Sequence, residues 1–224
     1  MNFSKTLEEF ATIDVLSMSE NGWLCFISGG KLYTMGSNGL YQTGQNITVG
    51  STSFPTEPLN TYSDWIDCSA GFNHGVAIRS NGKMYTWGYS TSYQTGQNTT
   101  TSIQVPTEVS GTWKRCMAGN AITFAINSDD KVYSAGSNIN GRLGQNLTAG
   151  TTVYSQTFAK CVFDNSEVNE HITKVSVGAI HTFIVKSGTL YVVGMDNQDK
   201  VDKADKVEEA GIQESNIQED TASH

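Results

Sequence analysis

His74 and His181 are the residues of this chain whose type most readily does chemistry, and each follows a glycine by three positions (Gly71, Gly178). An imidazole can ligate a metal or carry protons near neutral pH. A zinc-type site, however, needs further histidine, cysteine or carboxylate ligands at short spacing. Neither histidine has them, and His171 and His224 stand alone as well. The four cysteines, Cys25, Cys68, Cys116 and Cys161, form no C-x-x-C pair. No nucleophile with a base and an orienting group, no phosphate-cradling glycine loop and no metal-spaced cluster can be read from the chain. The expectation is a protein without catalysis, metal or cofactor.

What the histidines share is their place in a repeat. The stretch 65–98, WIDCSAGFNHGVAIRSNGKMYTWGYSTSYQTGQN, returns at 113–146, 16–46 and, shortened, at 172–194. A glycine closes an aromatic-rich run at Gly36, Gly88, Gly136 and Gly194, and TGQN or LGQN begins at Thr43, Thr95 and Leu143. Two independent anchors thus share spacings of 52 and 48 residues, and a period of this size marks a repeat architecture. Within a unit, 66–70 alternates apolar and polar residues, the period of a half-buried strand. The runs 75–78 and 83–87 flank Asn81-Gly82, a favoured two-residue hairpin turn. Gly29-Gly30 and Asp129-Asp130 are expected to make the same turn in the first and third copies, and Ser187-Gly188 a turn one residue shorter in the fourth. A fourth, outer strand is placed at 103–109 and at 54–59, each with a proline that suits an edge position. Repeats of about 14–64, 65–112, 113–171 and 172–195 give one repeat domain over 1–195, followed by a tail over 196–224.

This order of elements resembles the regulator of chromosome condensation repeat, a β-propeller family. Gly71-Phe72-Asn73-His74 and Gly178-Ala179-Ile180-His181 match its first part, Tyr85-Thr86-Trp87-Gly88 its second, and 138–144 (NINGRLG) its loop. The resemblance covers roughly 14–195. It implies an all-β propeller with about four blades of four antiparallel strands, where the family usually has about seven. It also implies that the histidines brace adjacent strands by hydrogen bonding. Tyr41 and Tyr93 stand where the family's loop glycine is expected, and the fourth copy stops at Gly194 without the loop. Shifted by one repeat, residues 3–7 (FSKTL) fall on an outer-strand position. The N-terminal strand is therefore expected to complete the last blade beside 189–193, within one chain or across a dimer.

Charge is sparse and uneven. Of the formal charge of −8, the tail contributes nine acids against three lysines, and charged residues make up 16% of the chain. An ordinary globular chain carries about 25%. The body is neutral and rich in Asn, Thr, Ser and Gly, without the basic footprint of a nucleic-acid binder. Residues 1–13 carry acids and no long apolar run, unlike a signal peptide. No stretch approaches the roughly 20 apolar residues that span a bilayer. Cys68 and Cys116 occupy a slot filled by Leu16 and Val175 in the other copies, and Cys25 aligns with Ala77 and Ala125. Such slots are buried and apolar, where cysteine serves as a small hydrophobe. Reduced thiols and folding in a cytoplasm are expected. The tail reads as a solvated acidic segment, with a weak helical spacing at 199–210.

The loops after Gly36, Gly88 and Gly136 hold the variable polar and aromatic residues. Leu40, Tyr41, Tyr89, Tyr93 and Arg142 are the candidate contact residues, because tyrosine and arginine dominate interaction hot spots. The TGQN segments are expected to bond each loop to a neighbouring blade. The chain is thus read as a non-catalytic protein-binding or scaffold protein, a component of a virus particle or another large assembly. The alternative is an intracellular regulator docking a partner such as a small GTPase or an enzyme on a propeller face. Partners are proteins or further copies of the chain, with no nucleic acid and no membrane.

Overall fold

Each repeat folds into a four-stranded antiparallel meander, and a computed structural model describes residues 10, 12–48, 50–59, 62–145, 147, 153–162, 172–178, 181–194 and 202–203. Blade 1 is β1 (Val15–Met18), β2 (Trp23–Ser28), β3 (Lys31–Ser37) and β4 (Ser51–Thr56). Blade 2 is β5 (Trp65–Ala70), β6 (His74–Arg79), β7 (Met84–Gly88) and β8 (Ile103–Val109). Blade 3 is β9 (Trp113–Ala118), β10 (Ile122–Asn127), β11 (Val132–Ser137) and β12 (Tyr154–Lys160). Blade 4 is β13 (Ile172–Val177), β14 (Thr182–Lys186), β15 (Thr189–Val193) and β16 (Asp202–Lys203). The architecture is the all-β propeller type expected from the repeats. Pro55 and Pro106 both lie in outermost strands.

The repeat glycine has a steric cause. The third and fourth strands shift register around Gly36, Gly88 and Gly136. Gly88 has φ +93°, and a Cβ there would lie 2.6 Å from the Asn73 carbonyl oxygen. Only glycine combines that backbone with so close an approach.

The hairpin turns divide into two kinds, and Gly29-Gly30 falls with Ser187-Gly188, not with Asn81-Gly82 as expected. Gly29-Gly30 and Ser187-Gly188 are two-residue turns with φ positive at both positions (56° and 75°, 49° and 79°). In blade 2, Arg79 N–H bonds to Lys83 C=O, and only Gly82 is left-handed. Blade 3 repeats this, with Asn127 N–H bonded to Lys131 C=O and Asp130 left-handed. These are three-residue loops that end in one left-handed residue. Asn81 serves through its side chain, which accepts the Lys83 N–H at 3.0 Å.

Packing runs from blade to blade in one direction. Each middle sheet has a forward face, towards the next blade, and a back face, towards the previous one. Cys25, Ile27 and Leu32 on the forward face of blade 1 meet Cys68, Ala77, Tyr85 and Trp87 on the back of blade 2. Val76, Ile78 and Met84 meet Trp113, Cys116 and Ala125 of blade 3. Phe124, Ile126 and Val132 meet Ile184, Tyr191 and Val193 of blade 4. All four cysteines are buried, and none of them is in a disulfide.

The two outer faces of the array differ from these. By strand register Phe183 is the counterpart of Cys25, Val76 and Phe124, so Cys25 aligns with Val76 and not with Ala77 as expected, and Leu190 is the counterpart of Leu32, Met84 and Val132. Those six residues are buried, whereas Phe183 is 45% and Leu190 42% exposed. On the back of blade 1, Leu16 and Met18 are 54% and 71% exposed, although their counterparts Cys68 and Ala70 are buried.

The outer neighbour of β15 corrects the expected closure. Tyr191 pairs with Lys203 and Val192 with Asp202, so the tail, not the N-terminal segment, supplies the outer strand of blade 4. Main-chain bonds need no particular side chain, which is why the charged residues at 202–203 gave no strand signal. Residues 3–7, and the rest of the tail with most of the weak 199–210 helix, lie outside the described residues.

Candidate protein-binding face

Both ends of each meander carry connections, but one end carries the long ones. The first-to-second strand turns and the third-to-fourth strand loops share it, because β1 and β3 run parallel and leave their sheet on the same side. Ser37 N–H bonds to Gly22 C=O, Tyr89 N–H to Asn73 C=O and Ser137 N–H to Ala121 C=O, joining turn to loop in three blades.

The loops are held by a recurring set of side chains. Thr34 Oγ1 donates to Thr43 C=O at 2.8 Å, Thr86 Oγ1 to Thr95 C=O at 2.8 Å, and Ser134 Oγ to Leu143 C=O at 2.7 Å. Asn38 Oδ1 accepts the Thr43 N–H at 3.0 Å and Asn138 Oδ1 the Leu143 N–H at 3.1 Å. These hydroxyls recur at the repeat spacing and could have been found from it. The loops also reach forward, as expected of TGQN. Trp87 Nε1 donates to Gln42 C=O at 2.6 Å, Asn46 N–H bonds to Gln104 C=O at 3.1 Å, and Asn98 N–H to Gln156 C=O at 3.0 Å.

Against this frame the five candidate contact residues separate. Leu40, Tyr41, Tyr89 and Tyr93 are half-buried on the loop-bearing end. Tyr41 and Tyr93 adopt φ of 63° and 58°, matching Gly141 at 66°. Tyr93 packs against Tyr154 of the next blade, ring centroids 5.9 Å apart. Arg142 is buried; its Nε donates to Ser137 C=O at 3.0 Å, and burial lowers its pKa from the usual value. It takes the place of Gln42 and Gln94, which are also buried and accept the Leu40 and Ser92 N–H groups.

The histidines occupy structural ground. His74 is fully buried, and its Nε2 lies 2.7 Å from Thr123 Oγ1 in the next blade. Burial pushes its pKa down to about 4. The bond braces one blade against the next, where bracing of adjacent strands was expected. His181, its counterpart in blade 4, is half-buried. Among the described residues no three His, Cys, Asp or Glu side chains gather as a metal site, and no helix is long and apolar enough to cross a membrane.

A funnel of about 120 Å³ opens on the loop-bearing end, where the innermost strands of all four blades finish. Met18, Phe72, Asn120 and Val177 line it, one from each blade, with Glu20 the acid on its rim. Phe72 is an exposed aromatic there. No sequence signal marked these positions, since turns of a repeat look alike whether or not they meet at an axis.

Comparison with known proteins places this geometry. Residues 65–94 and 81–126 match two family models, both described as the regulator of chromosome condensation (RCC1) repeat. Human WBSCR16 superposes with a TM-score of 0.72 at 18% identity, over 86% of this chain and 52% of that one. Prp20p of Saccharomyces cerevisiae superposes with a TM-score of 0.72 at 17% identity, over 84% and 50%. The same yeast protein bound to Kap60 gives 0.72 at 16%, over 84% and 48%. The chain thus spans about half the length of the solved structures it matches.

Proposed function

Since residues 65–126 match the regulator of chromosome condensation repeat, we propose that the chain is a non-catalytic binding module that docks a protein partner on its loop-bearing face. The observation that carries this reading is the funnel, to which each of the four blades brings a residue around the exposed ring of Phe72. A rigid scaffold that presents variable loops is the usual arrangement for recognition, and an exposed aromatic at the centre of a face is the usual anchor. Leu40 and Tyr89 extend the surface outwards, while Tyr41, Tyr93 and Arg142 shape it from within. Yeast Prp20p is described with its binding to Gsp1p and histones, and with Kap60 bound. A regulator of such a protein partner is the finer reading. A role in a virus particle draws no support from the fold or from these relatives.

Co-purification from the native source tests the proposal. Phe72→Glu with Tyr89→Ala should lose a protein that wild type retains. Ser80→Glu with Asp129→Lys, in hairpin turns on the opposite end, should retain it. Identical binding by all three would overturn the assignment of the face.

A further inference from the structure

The array of blades ends in a forward face on blade 4 and a back face on blade 1, both with exposed apolar side chains, the back face being covered in part by Phe10 over Phe26 and Tyr33. The forward face of blade 4 presents Phe183 and Leu190, whose counterparts in blades 1 to 3 are buried against a following blade. The back of blade 1 presents Leu16 and Met18, whose counterparts in blade 2 are buried against a preceding blade. A forward face meets a back face three times within this one chain.

Polar groups follow the pattern at two of the three junctions, Met117 standing at the serine position in blade 3. Ser17 Oγ accepts the Ala70 N–H of the next blade at 2.9 Å, and Ser69 Oγ accepts the Ala118 N–H at 3.0 Å. Ser176 stands opposite Phe183 as Ser17 stands opposite Cys25 and Ser69 opposite Val76, and it is exposed. Met18 stands opposite Leu24 as Ala70 stands opposite Gly75. One end therefore carries an acceptor of this series, and the other end carries the matching main-chain donor position.

From this we infer that two copies of the chain join head to tail, blade 4 of each against blade 1 of the other. Phe183 and Leu190 of one copy cover Leu16 and Met18 of its partner, and Ser176 accepts the Met18 N–H across the junction. A second copy is the fitting occupant because it brings to each face the opposite kind, the kind that buries the counterpart residues three times inside this chain. Two junctions related by a two-fold axis use up both ends and leave no growing tip. The product is an eight-bladed ring, within the usual range of about 4–8 blades.

Sedimentation equilibrium of the full chain is the test, with a mass twice the 24.3 kDa of one chain expected across the micromolar range. Phe183→Glu and, separately, Leu16→Glu should each shift the particle to the single-chain mass. Both side chains are exposed, so wild-type circular dichroism should persist; Leu190→Lys and Met18→Lys provide a second pair should either variant fail to fold. Mixing the Phe183→Glu and Leu16→Glu proteins should restore the double mass, because each retains the face that the other has lost. A wild-type mass of one chain overturns the inference, as when the protein's own terminal segments cover the faces. A dimer insensitive to both variants, or no recovery on mixing, also overturns it.

Discussion

The imidazole of His74 in blade 2 donates a hydrogen bond to the hydroxyl of Thr123 in blade 3, at 2.7 Å. The direction follows from a second bond: Thr123 spends its only proton on Gln94 C=O at 2.6 Å. Nε2 therefore holds the ring proton, and Nδ1, which has no hydrogen-bond partner, lies against Gly71. Protonating Nδ1 would bury an uncompensated charge, which is why His74 sits near pKa 4 and not 6.5. The unfolded chain takes up this proton as pH falls below 6.5, while the folded chain refuses it until about 4. Stability should be full above pH 6.5 and fall by ~3 kcal/mol between there and pH 4. His74→Gln, which keeps a donor for Thr123, should flatten that slope in urea melts taken across the window.

Gly88→Ala should destabilise the fold by about 3 kcal/mol, through a left-handed backbone and a Cβ pressed on the Asn73 carbonyl. Gly39→Ala, with φ outside the left-handed range and open space around its Cβ, is the control and should change little. Chemical denaturation of the two variants reads the difference.

Tyr41 adopts φ 63°. Replacing it by Ala and by Gly removes the same ring, so the pair isolates the backbone. The glycine variant should be the more stable by about 1 kcal/mol, the cost of a left-handed L-residue. Equal stability would mean that the loop relaxes out of this conformation once the ring is gone.

The thiols should be reduced yet unreactive. All four cysteines are buried, and burial, with Asp67 nearby, raises the Cys116 thiol well above its ordinary range. Only thiolates attack alkylating reagents at useful rates. Native protein at pH 8 should react on the timescale of unfolding, and denatured, unreduced protein should yield four thiols.

Much of the fold was legible because a repeat reports its own constraints. Gly36, Gly88 and Gly136 each close a strand against a neighbouring main chain, so their spacing carried blade number and strand register together. Tyr41 and Tyr93 marked left-handed loop positions by standing in for Gly141. The hairpins of blades 2 and 3 differ from expectation because Asn81-Gly82 suits both a two-residue turn and the end of a three-residue loop. Arg142 looked like a surface contact because its charge hid its kinship with the buried Gln42 and Gln94. Phe183 and Leu190 are hydrophobic at core positions like any others, since periodicity tells which side chains face a neighbour and not whether a neighbour is there. The funnel was illegible for the same reason.

The one-way reach of the loops has a consequence for how the molecule comes apart. Asn46 and Asn98 each clasp the outer strand of the blade that follows. Blades 2 and 3 are gripped from both sides, whereas blades 1 and 4 are gripped from one. In a linear array whose stability is a sum of units and nearest-neighbour junctions, opening begins at the termini and rarely in the middle. Amide exchange should therefore rank β6 and β10 as the slowest strands and β14 as markedly faster. A second copy docked on Phe183 would erase that ranking, turning an array that frays from its ends into a closed cycle that must break before it can unravel.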